Sequence, residues 1–399
     1  MARKLNILFA SHTYMGGPFV VGSHHLAKEL SKQGNDVYHI STPISPFHLL
    51  KIRETENKTR FKRYFLGEKT VKVNNHLRDI LVWSMVPWQL STKQFAKDGR
   101  NLSLGGVKKT IRKNNIRDID ILFIDQPSLI GIEEIIKPKL LIFRPTDLNE
   151  YMTGDQHIGK AEALLVERAD GIVATSMPVL EKAKEINKIP DKPFALIENG
   201  VEYDHFLYHP KNVKERTDSL IHIVYVGALD ERFDFEAIRY IVDTMENIKL
   251  TVIGPINDRF KKKIYRNDRI SYLGAKDYSE IPSYLHNADL AILPLSDHPS
   301  NNGRSPMKLY EFGAAGLHVV VRKTDEIKRR NLSFVHMYED FREIPALIDK
   351  IDLSTKEKIK TAKLSEPYSW KSNAEKILNF CEGISYQLPQ NERDFHREA

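Results

Sequence analysis

The sequence has 399 residues, more than one hydrophobic core usually organises, so its length predicts two domains. A content of 41% hydrophobic and 28% charged residues excludes a disordered or collagen-like chain, and the single Cys381 excludes an intramolecular disulfide framework and a cysteine-based zinc site. The net charge of +7 is uneven: residues 1–200 carry 30 Lys and Arg against 22 Asp and Glu, whereas residues 201–399 carry 30 against 31.

In chain order, short apolar runs alternate with helical patterns in the first half. Helices are predicted near 20–32, 104–114, 157–168 and 176–187. Strands are predicted at Leu5–Ala10, Asp36–Ile40, Ile80–Val86, Asp120–Ile124, Leu140–Phe143, Gly171–Thr175 and Ala195–Glu198.

The second half repeats the alternation, with a helix predicted near 235–247. Its strands are predicted at Ile221–Val226, Lys249–Ile253, Ile270–Leu273, Ala288–Leu293 and His318–Val321. This pattern predicts an α/β fold of two doubly wound, Rossmann-like domains that face each other across a cleft, with ligands at the carboxyl ends of the strands. Polar residues within 203–218 break the periodicity, so we expect domains at 1–205 and 206–369. A last helix at 370–388 either returns to the first domain or stays with the second.

The segment from Arg304 to Gly316 is the most informative stretch. Ser305 is a natural N-cap and Pro306 a natural first residue of a helix. Backbone N–H groups at the start of this helix suit a diphosphate. Lys308 in the first turn opposes the helix dipole unless an anion is bound, and Glu311, three residues on, suits ribose hydroxyls. The alternative is an ordinary capped helix with a surface ion pair.

This stretch, SPMKLYEFGAAG, resembles the donor-nucleotide motif of glycosyltransferases with the two-domain GT-B fold. The resemblance also includes Gly16-Gly17 and the segment 197–201, IENGV, and it covers about residues 5–385. It implies a nucleotide-sugar donor held by Ser305, Pro306, Met307, Lys308 and Glu311. Many retaining members pair two glutamates with seven residues between them, and here Gly303 stands at the first position.

Among these enzymes the chain looks most similar to the membrane-associated xanthan glucuronosyltransferase and related bacterial family 4-like glycosyltransferases. Ser11-His12, the segment 144–147 (RPTD) and the segment 227–230 (GALD) carry this resemblance. It implies an inverting reaction in which Asp147 is the catalytic base.

The residues themselves leave two roles open for Asp147. It follows an apolar strand, at the end where α/β sheets bind ligands, which suits a general base. It is equally suited to be a helix N-cap with Glu150 as its capping-box partner. Asp125 ends a neighbouring strand and is the reserve candidate for the base.

Further candidates follow other predicted strands. His12, Gly16 and Gly17 follow the first strand and are candidates for contacting acceptor or phosphate; turn and structural roles are the alternatives. In the second half, Gly227 and Arg232 open a turn that suits the diphosphate or a sugar carboxylate, although a solvated loop charge fits Arg232 as well. The family pattern implies that the backbone near Gly274 reads the nucleotide base.

Residues 51–113 carry 16 basic and five acidic side chains, interleaved with Phe61, Tyr64, Phe65, Trp83 and Trp88. This mixture favours an anionic membrane surface as partner; a solvated face with aromatic residues in strand cores is the alternative. The segment resembles no nucleic-acid recognition module, so no nucleic-acid partner is expected. No apolar run reaches the roughly 18 residues of a spanning helix, and no signal-peptide core is present. We therefore expect a cytoplasmic protein at the inner face of the membrane.

The combined prediction is a hexosyltransferase of cell-envelope polysaccharide biosynthesis. It would use a UDP-sugar, with UDP-glucuronate as one option, and a lipid-linked or cell-surface glycan acceptor. The alternatives are a retaining family 4-type enzyme without a protein base, and a UDP-sugar epimerase. The one Asp-x-Asp match, Asp118-Ile119-Asp120, straddles the start of a buried strand, so we expect neither a metal nor another cofactor.

Overall fold

The computed structural model describes residues 3–17, 20–51, 55–149, 157–210 and 219–387. The chain divides into two compact units: one contains the residues up to Glu198 together with those from Lys371 onward, and the other is Asn199–Trp370. The sequence predicts this division at 205/206, seven residues later, within a polar stretch whose residues 211–218 lie outside the described part. Among the described residues no helix has the length and apolar character needed to cross a membrane.

The first unit is built on an eight-stranded sheet of order β3-β4-β2-β1-β5-β6-β7-β8. Neighbouring strands are parallel except β3 and β4. The strands are β1 Asn6–Ser11, β2 Asp36–Ser41, β3 Thr70–Asn74, β4 Leu77–Ile80, β5 Ile121–Ile124, β6 Leu140–Phe143, β7 Gly171–Ala174 and β8 Phe194–Leu196.

The central strands of this sheet are covered on both faces. β5 (ILFI), β6 (LLIF) and β7 (GIVA) are buried at every position, which is why their sequences are continuous apolar runs. The helices are α1 Gly22–Lys32, α2 Thr55–Leu66, α3 Trp88–Asp98, α4 Gly105–Lys113, α5 Ile132–Ile136, α6 Ile158–Arg168 and α7 Met177–Ile186.

The sequence-based strand Ile80–Val86 is wrong in all but its first residue. The chain instead forms an antiparallel hairpin of β3 and β4. Residues 81–86 lie outside the strands of the sheet apart from one bridge between Ile44 and Trp83, and residues 85 and 86 form a bend. β3 is an edge strand in which three residues are half-buried and two are exposed, so its sequence TVKVN contains no continuous apolar run.

The second unit is built on a six-stranded parallel sheet of order β11-β10-β9-β12-β13-β14. Its strands are β9 Ile221–Val226, β10 Ile248–Ile253, β11 Ile270–Tyr272, β12 Leu290–Leu293, β13 His318–Arg322 and β14 Val335–Tyr338. Its helices are α8 Tyr203–Phe206, α9 Phe235–Thr244, α10 Ile281–His286, α11 Met307–Ala314, α12 Asp325–Arg330, α13 Ile344–Ile348 and α14 Thr355–Leu364.

The last helix, α15 Trp370–Gln387, packs on the sheet of the first unit. Gly171 at the start of β7 makes room for it, since a Cβ there would lie 2.4 Å from Ile384 Cδ1 and 3.1 Å from the Phe380 ring. Ile377 and Ile384 are buried in this helix. Of the two possibilities for the last helix, the structure therefore has the one in which the chain returns to the first unit.

Candidate functional site

Strand order locates the candidate site of the second unit. Counted within this unit, the order is 3-2-1-4-5-6, and the direction of winding reverses between β9 and β12. Loops leaving the carboxyl ends of these two strands diverge and open a crevice, which is where doubly wound sheets bind ligands. The loop after β9 begins with Gly227, and the loop after β12 leads to Ser305 and α11.

Glycines bring three strand ends of this unit together. Gly254, after β10, has φ +148°, and a Cβ on it would lie 1.8 Å from the carbonyl oxygen of Gly227. The amide of Gly254 donates to Gly274 O at 2.9 Å, and Gly274 has φ +68°. Sequence reasoning singled out Gly227 and Gly274 and missed Gly254, whose signal was a glycine followed by proline directly after a strand. This close backbone approach requires a residue without a side chain.

Ser305 is held by residues distant in the sequence. Its Oγ accepts hydrogen bonds from the Asn199 amide at 3.0 Å and from Arg330 Nη2 at 2.9 Å. The side-chain amide of Asn199 also donates to Ser305 O at 3.1 Å. Arg330 is buried, and Glu326 Oε1 accepts from its Nη2 at 2.9 Å. Sequence reasoning missed Arg330, because nothing local links α12 to residue 305.

The expected N-cap role of Ser305 is therefore wrong. Helix α11 begins at Met307, and Pro306, with ψ 107°, occupies the cap position without a side-chain hydrogen bond. A hydroxyl has two acceptor positions and one proton. Both acceptor positions of Ser305 Oγ are engaged by N–H groups, so its proton remains to be donated to another acceptor. Ser305 and the first-turn amides of Met307 and Lys308 together provide hydrogen-bond donors at the crevice.

Lys308 and Glu311 form an ion pair on α11, with 2.5 Å between Nζ and Oε2. Glu311 compensates the charge of Lys308, so the position of this lysine in the first turn does not by itself require an anion, and its role toward a diphosphate stays a prediction. The alternative of a surface pair does not describe the two side chains: the Glu311 side chain is 5% exposed and that of Lys308 is 28% exposed. The ammonium group thus remains accessible while the carboxylate that positions it is buried.

Arg232 is engaged by its own loop. Its Nε donates to Asp230 Oδ1 at 2.9 Å, and its Nη2 pairs with Asp230 Oδ2. Burial raises the pKa of Asp230, but the hydrogen bonds from Arg232 outweigh burial and hold this pKa below its usual range. A role of Arg232 toward a diphosphate or sugar carboxylate stays a prediction.

In the first unit, the strand order runs β2-β1-β5, so the direction of winding reverses between β1 and β5. His12 follows β1, and its carbonyl accepts from Thr42 Oγ1 at 2.9 Å. His12 is an exposed residue, yet desolvation by the surrounding protein, followed by the charge of Arg60, lowers its pKa to about 4. His12 is therefore neutral near pH 7. Gly16 has φ +77°, and the closest neighbour of a Cβ on Gly17 would be the Tyr14 ring at 3.0 Å.

The two candidate bases lie at neighbouring strand ends and differ in environment. Asp147 is half-buried after β6, and its Oδ2 accepts from Thr146 Oγ1 at 3.1 Å. The proposed capping partner Glu150 lies outside the described residues. Asp125, after β5, is buried and pairs with the buried Arg144 at 3.1 Å. Burial raises the pKa of Asp125 despite Arg144. Asp147 is thus the more accessible carboxylate of the two.

Within the described ranges, no group of three or more His, Cys, Asp and Glu side chains is arranged to hold a metal ion.

Residues 221–342, which contain the crevice of the second unit, match the model of the family "Glycosyl transferases group 1". A relative from Bacillus subtilis (strain 168), the putative teichuronic acid biosynthesis glycosyltransferase TuaH, is 24% identical over 188 residues. That alignment covers 45% of this chain and 47% of the relative, so it spans about half of each protein.

Solved structures match over nearly the whole chain. Sucrose-phosphate synthase from Thermosynechococcus elongatus superposes with a TM-score of 0.70 at 13% identity, covering 96% of this chain and 100% of that one. Anabaena HepE in complex with UDP and glucose gives a TM-score of 0.67 at 13% identity, and the match covers 95% of this chain and 100% of that one. The fold of the chain is that of the GT-B glycosyltransferases.

Proposed function

We propose that this protein is a glycosyltransferase that moves a sugar from a nucleoside-diphosphate donor to a hydroxyl of a glycan acceptor. The observation that carries the proposal is the hydroxyl of Ser305, whose two acceptor positions are taken by Asn199 and Arg330. A hydroxyl fixed in this way serves as a donor to an anionic oxygen, at the point of the sheet where nucleotides bind. The family match over residues 221–342 includes this segment and supports the proposal.

The proposed donor is a UDP-sugar. Anabaena HepE, which shares the fold, has been solved with UDP and with UDP-glucose. UDP-glucuronate is included because the sequence resembles the xanthan glucuronosyltransferase and because Arg232 lies in the loop after β9. Ser305, Pro306, Met307, Lys308 and Glu311 would hold the diphosphate and ribose, and Gly227, Arg232 and Gly274 the remainder of the donor.

In the proposed reaction Asp147 removes the proton from the acceptor hydroxyl. The acceptor oxygen then forms a bond to the anomeric carbon, the bond from that carbon to the diphosphate oxygen breaks, and UDP leaves with the electron pair. Such a displacement inverts the anomeric configuration. The half-buried position of Asp147 and the presence of Gly303 at the first position of the retaining motif support inversion. Because His12 is neutral, it can accept or donate a hydrogen bond to the acceptor without adding charge.

The protein would stabilise the departing diphosphate with fixed donors: the Ser305 hydroxyl, the Lys308 ammonium and the amide groups at the start of α11. Donors already in place when charge develops are the strongest electrostatic contribution an enzyme makes. We propose that the reaction needs no metal ion, since these groups supply positive potential themselves.

The proposed acceptor is a lipid-linked or cell-surface glycan, bound by the basic first unit with His12, Gly16 and Gly17. The relative TuaH is described as a glycosyltransferase of teichuronic acid biosynthesis, which supports a role in making a cell-envelope polysaccharide. Two alternatives remain distinct from this proposal: a retaining transferase without a protein base, favoured by Glu311, and an epimerase that turns over the donor without any acceptor.

Asp147→Asn tests the proposal. We expect transfer to fall by at least about a hundredfold, the usual contribution of a general base, while UDP affinity is unchanged. Transfer is followed by NMR of the product anomer and UDP binding by calorimetry. Asp118→Asn, an exposed carboxylate before β5, is the matched control and should behave as the parent. Near-normal turnover of Asp147→Asn would reject the base, and turnover of UDP-sugar without acceptor would favour the epimerase.

A further inference from the structure

Exposed apolar side chains are concentrated in one part of the first unit. Thirteen large hydrophobic residues of the described chain are exposed, and nine of them lie between residues 47 and 102. The most exposed are Leu50 at 85%, Leu66 at 82% and Met85 at 69%. Scattered exposed hydrophobic residues are ordinary, but contiguous ones mark an interaction surface.

Three segments that carry these residues are neighbours in space. The Ser84 amide donates to Ile44 O at 2.7 Å, which brings residues 83–85 beside the chain that enters the short 3₁₀ helix Pro46–Lys51. The Phe65 ring, near the end of α2, lies 5.3 Å from the Trp83 ring. Residues 83–85 therefore lie next to both the chain that enters the 3₁₀ helix and the end of α2, and they connect these two segments into one surface.

This surface lies at the carboxyl edge of the sheet. Residues 46–51 follow β2, and residues 83–90 follow β4. The end of α2 precedes β3, whose first residue Thr70 pairs with Ile80, the last residue of β4. All three segments are thus at the edge where His12 and Asp147 follow their own parallel strands.

Unpaired lysines flank the apolar residues. Lys58 and Lys62 are one turn apart on α2 and continue in a row to Leu66, and Lys93 and Lys97 are one turn apart on α3. All four lysines are exposed, and none of them forms an ion pair with another described residue. Like charges at this spacing destabilise a helix by a few tenths of a kcal/mol, which an anionic partner would offset.

An open groove of about 620 Å³ continues the surface along α3. Val86, Leu90 and Leu102 give it an apolar lining, while Lys93 and Lys97 contribute cations. A groove with an apolar lining and ammonium groups beside it suits the acyl chains and the phosphates of a lipid layer.

We propose that Leu50, Leu66, Met85 and the lysines at 62 and 93, together the lipid-facing surface, dock the protein on an anionic bilayer. The apolar side chains would enter the boundary between headgroups and acyl chains, and the lysines would contact anionic headgroups. Docking does not depend on the proposed transfer reaction. If both hold, the surface presents the edge with Asp147 to acceptors carried by the membrane.

Vesicle flotation of the full chain tests this proposal, with phosphatidylcholine alone and with phosphatidylcholine mixed with phosphatidylglycerol. We expect binding to the mixed vesicles only, weakened by salt. Lys62→Gln combined with Lys93→Gln should reduce the partition coefficient more than tenfold, since each lysine near an anionic surface contributes about fivefold. Leu50→Ser combined with Leu66→Ser should also reduce it at least tenfold; both side chains are exposed, so folding is not at risk.

Matched controls come from α14 of the second unit: Lys356→Gln with Lys363→Gln, and Ile359→Ser with Leu364→Ser, all exposed positions. They should bind vesicles as the parent does, and all variants should keep the parent's affinity for UDP. The proposal is overturned if the parent ignores anionic vesicles, if control and test variants lose binding equally, or if soluble polyglutamate competes as effectively as vesicles. The last result would identify an acidic polypeptide site instead. If the parent does not bind UDP, the proposed donor is rejected, whereas the conclusion from the vesicle experiment still holds.

Discussion

At the residue scale, the proposed donor site depends on the one hydrogen bond that the Ser305 hydroxyl can still form. Two N–H groups, from Asn199 and Arg330, point at Ser305 Oγ, so this hydroxyl has one remaining role, to donate. Arg330 itself is oriented by Glu326 and by Tyr310, whose hydroxyl accepts from Nη1 at 2.9 Å. Arg330 thus orients the Ser305 hydroxyl, and the buried side chains of Glu326 and Tyr310 in turn orient Arg330.

Ser305→Ala removes that proton. We expect the affinity for UDP to fall about tenfold, because a hydrogen bond to a charged group contributes about 1.5–3 kcal/mol and water replaces part of it. The affinity for uridine should not change, since the nucleoside has no phosphate. Calorimetry measures both ligands.

Arg330→Met should weaken UDP binding in the same direction, because Ser305 loses one of the donors that orient it. Arg329→Met is the matched control, since Arg329 also pairs with Glu326, at 2.8 Å, and is partly exposed. Equal losses for UDP and uridine in Ser305→Ala would contradict the assigned role of this hydroxyl.

The residue types at this site could be predicted from the sequence, and their partners could not. The segment from Ser305 to Glu311 contains a polar residue, a proline, a cation and a carboxylate in a helical register, which is local information. The bonds of Ser305 to Asn199 and Arg330 join residues 106 and 25 positions apart. Local capping rules therefore assign Ser305 to the helix, whereas the tertiary partners engage its hydroxyl and the helix starts two residues later.

At the element scale, the strands of the second unit follow the apolar runs closely, and Ile221–Val226 is matched to the residue. Buried parallel strands are apolar on both faces, so the sequence signal is strong. The edge strands β3 and β14 were missed because half-exposed strands alternate or lose that signal. Two of the four edge strands were thus missed, whereas the edge strands β8 and β11 were predicted.

The contact between β13 and β14 includes a histidine pair with a pH dependence. His318 Nδ1 and His336 Nε2 are 2.7 Å apart, and His318 Nε2 lies 3.6 Å from Glu357. Burial, followed by the charge of His318, lowers the pKa of His336 to about 4, and burial also lowers the pKa of His318 although Glu357 opposes this. An unfolded chain titrates these residues near 6.5 and therefore binds more protons between pH 7 and 4. Stability consequently falls as the pH decreases through that window.

His336→Gln should make this acid-dependent loss smaller by about 1 kcal/mol between pH 7 and 4.5, because a half-buried group is partly screened by solvent. Urea denaturation at a series of pH values measures the free energy of unfolding. Asn247→Gln, an exposed position of the same unit that does not titrate, is the control and should leave the slope as in the parent. Parallel curves for the parent and His336→Gln would show that the pair does not contribute.

At the scale of the whole molecule, the charge of the chain has a defined distribution. The first unit, residues 1–198 with 371–399, carries 34 Lys and Arg against 27 Asp and Glu, a net charge of +7, whereas the second unit, residues 199–370, carries 26 of each and is neutral. A neutral second unit fits a site that meets the donor's negative charge with a few fixed groups near Ser305. The proposed division into a donor-binding second unit and a membrane-facing first unit thus agrees with both the net charges and the exposed residues.

Hydrogen exchange followed by mass spectrometry, with and without UDP, locates the segments of the chain to which a nucleoside diphosphate binds. We expect slower amide exchange in two segments of the second unit, 227–232 and 303–311, and no such change along α3 or β3 of the first unit. Protection confined to the first unit, or no protection at saturating UDP, would contradict a donor site at the crevice between β9 and β12.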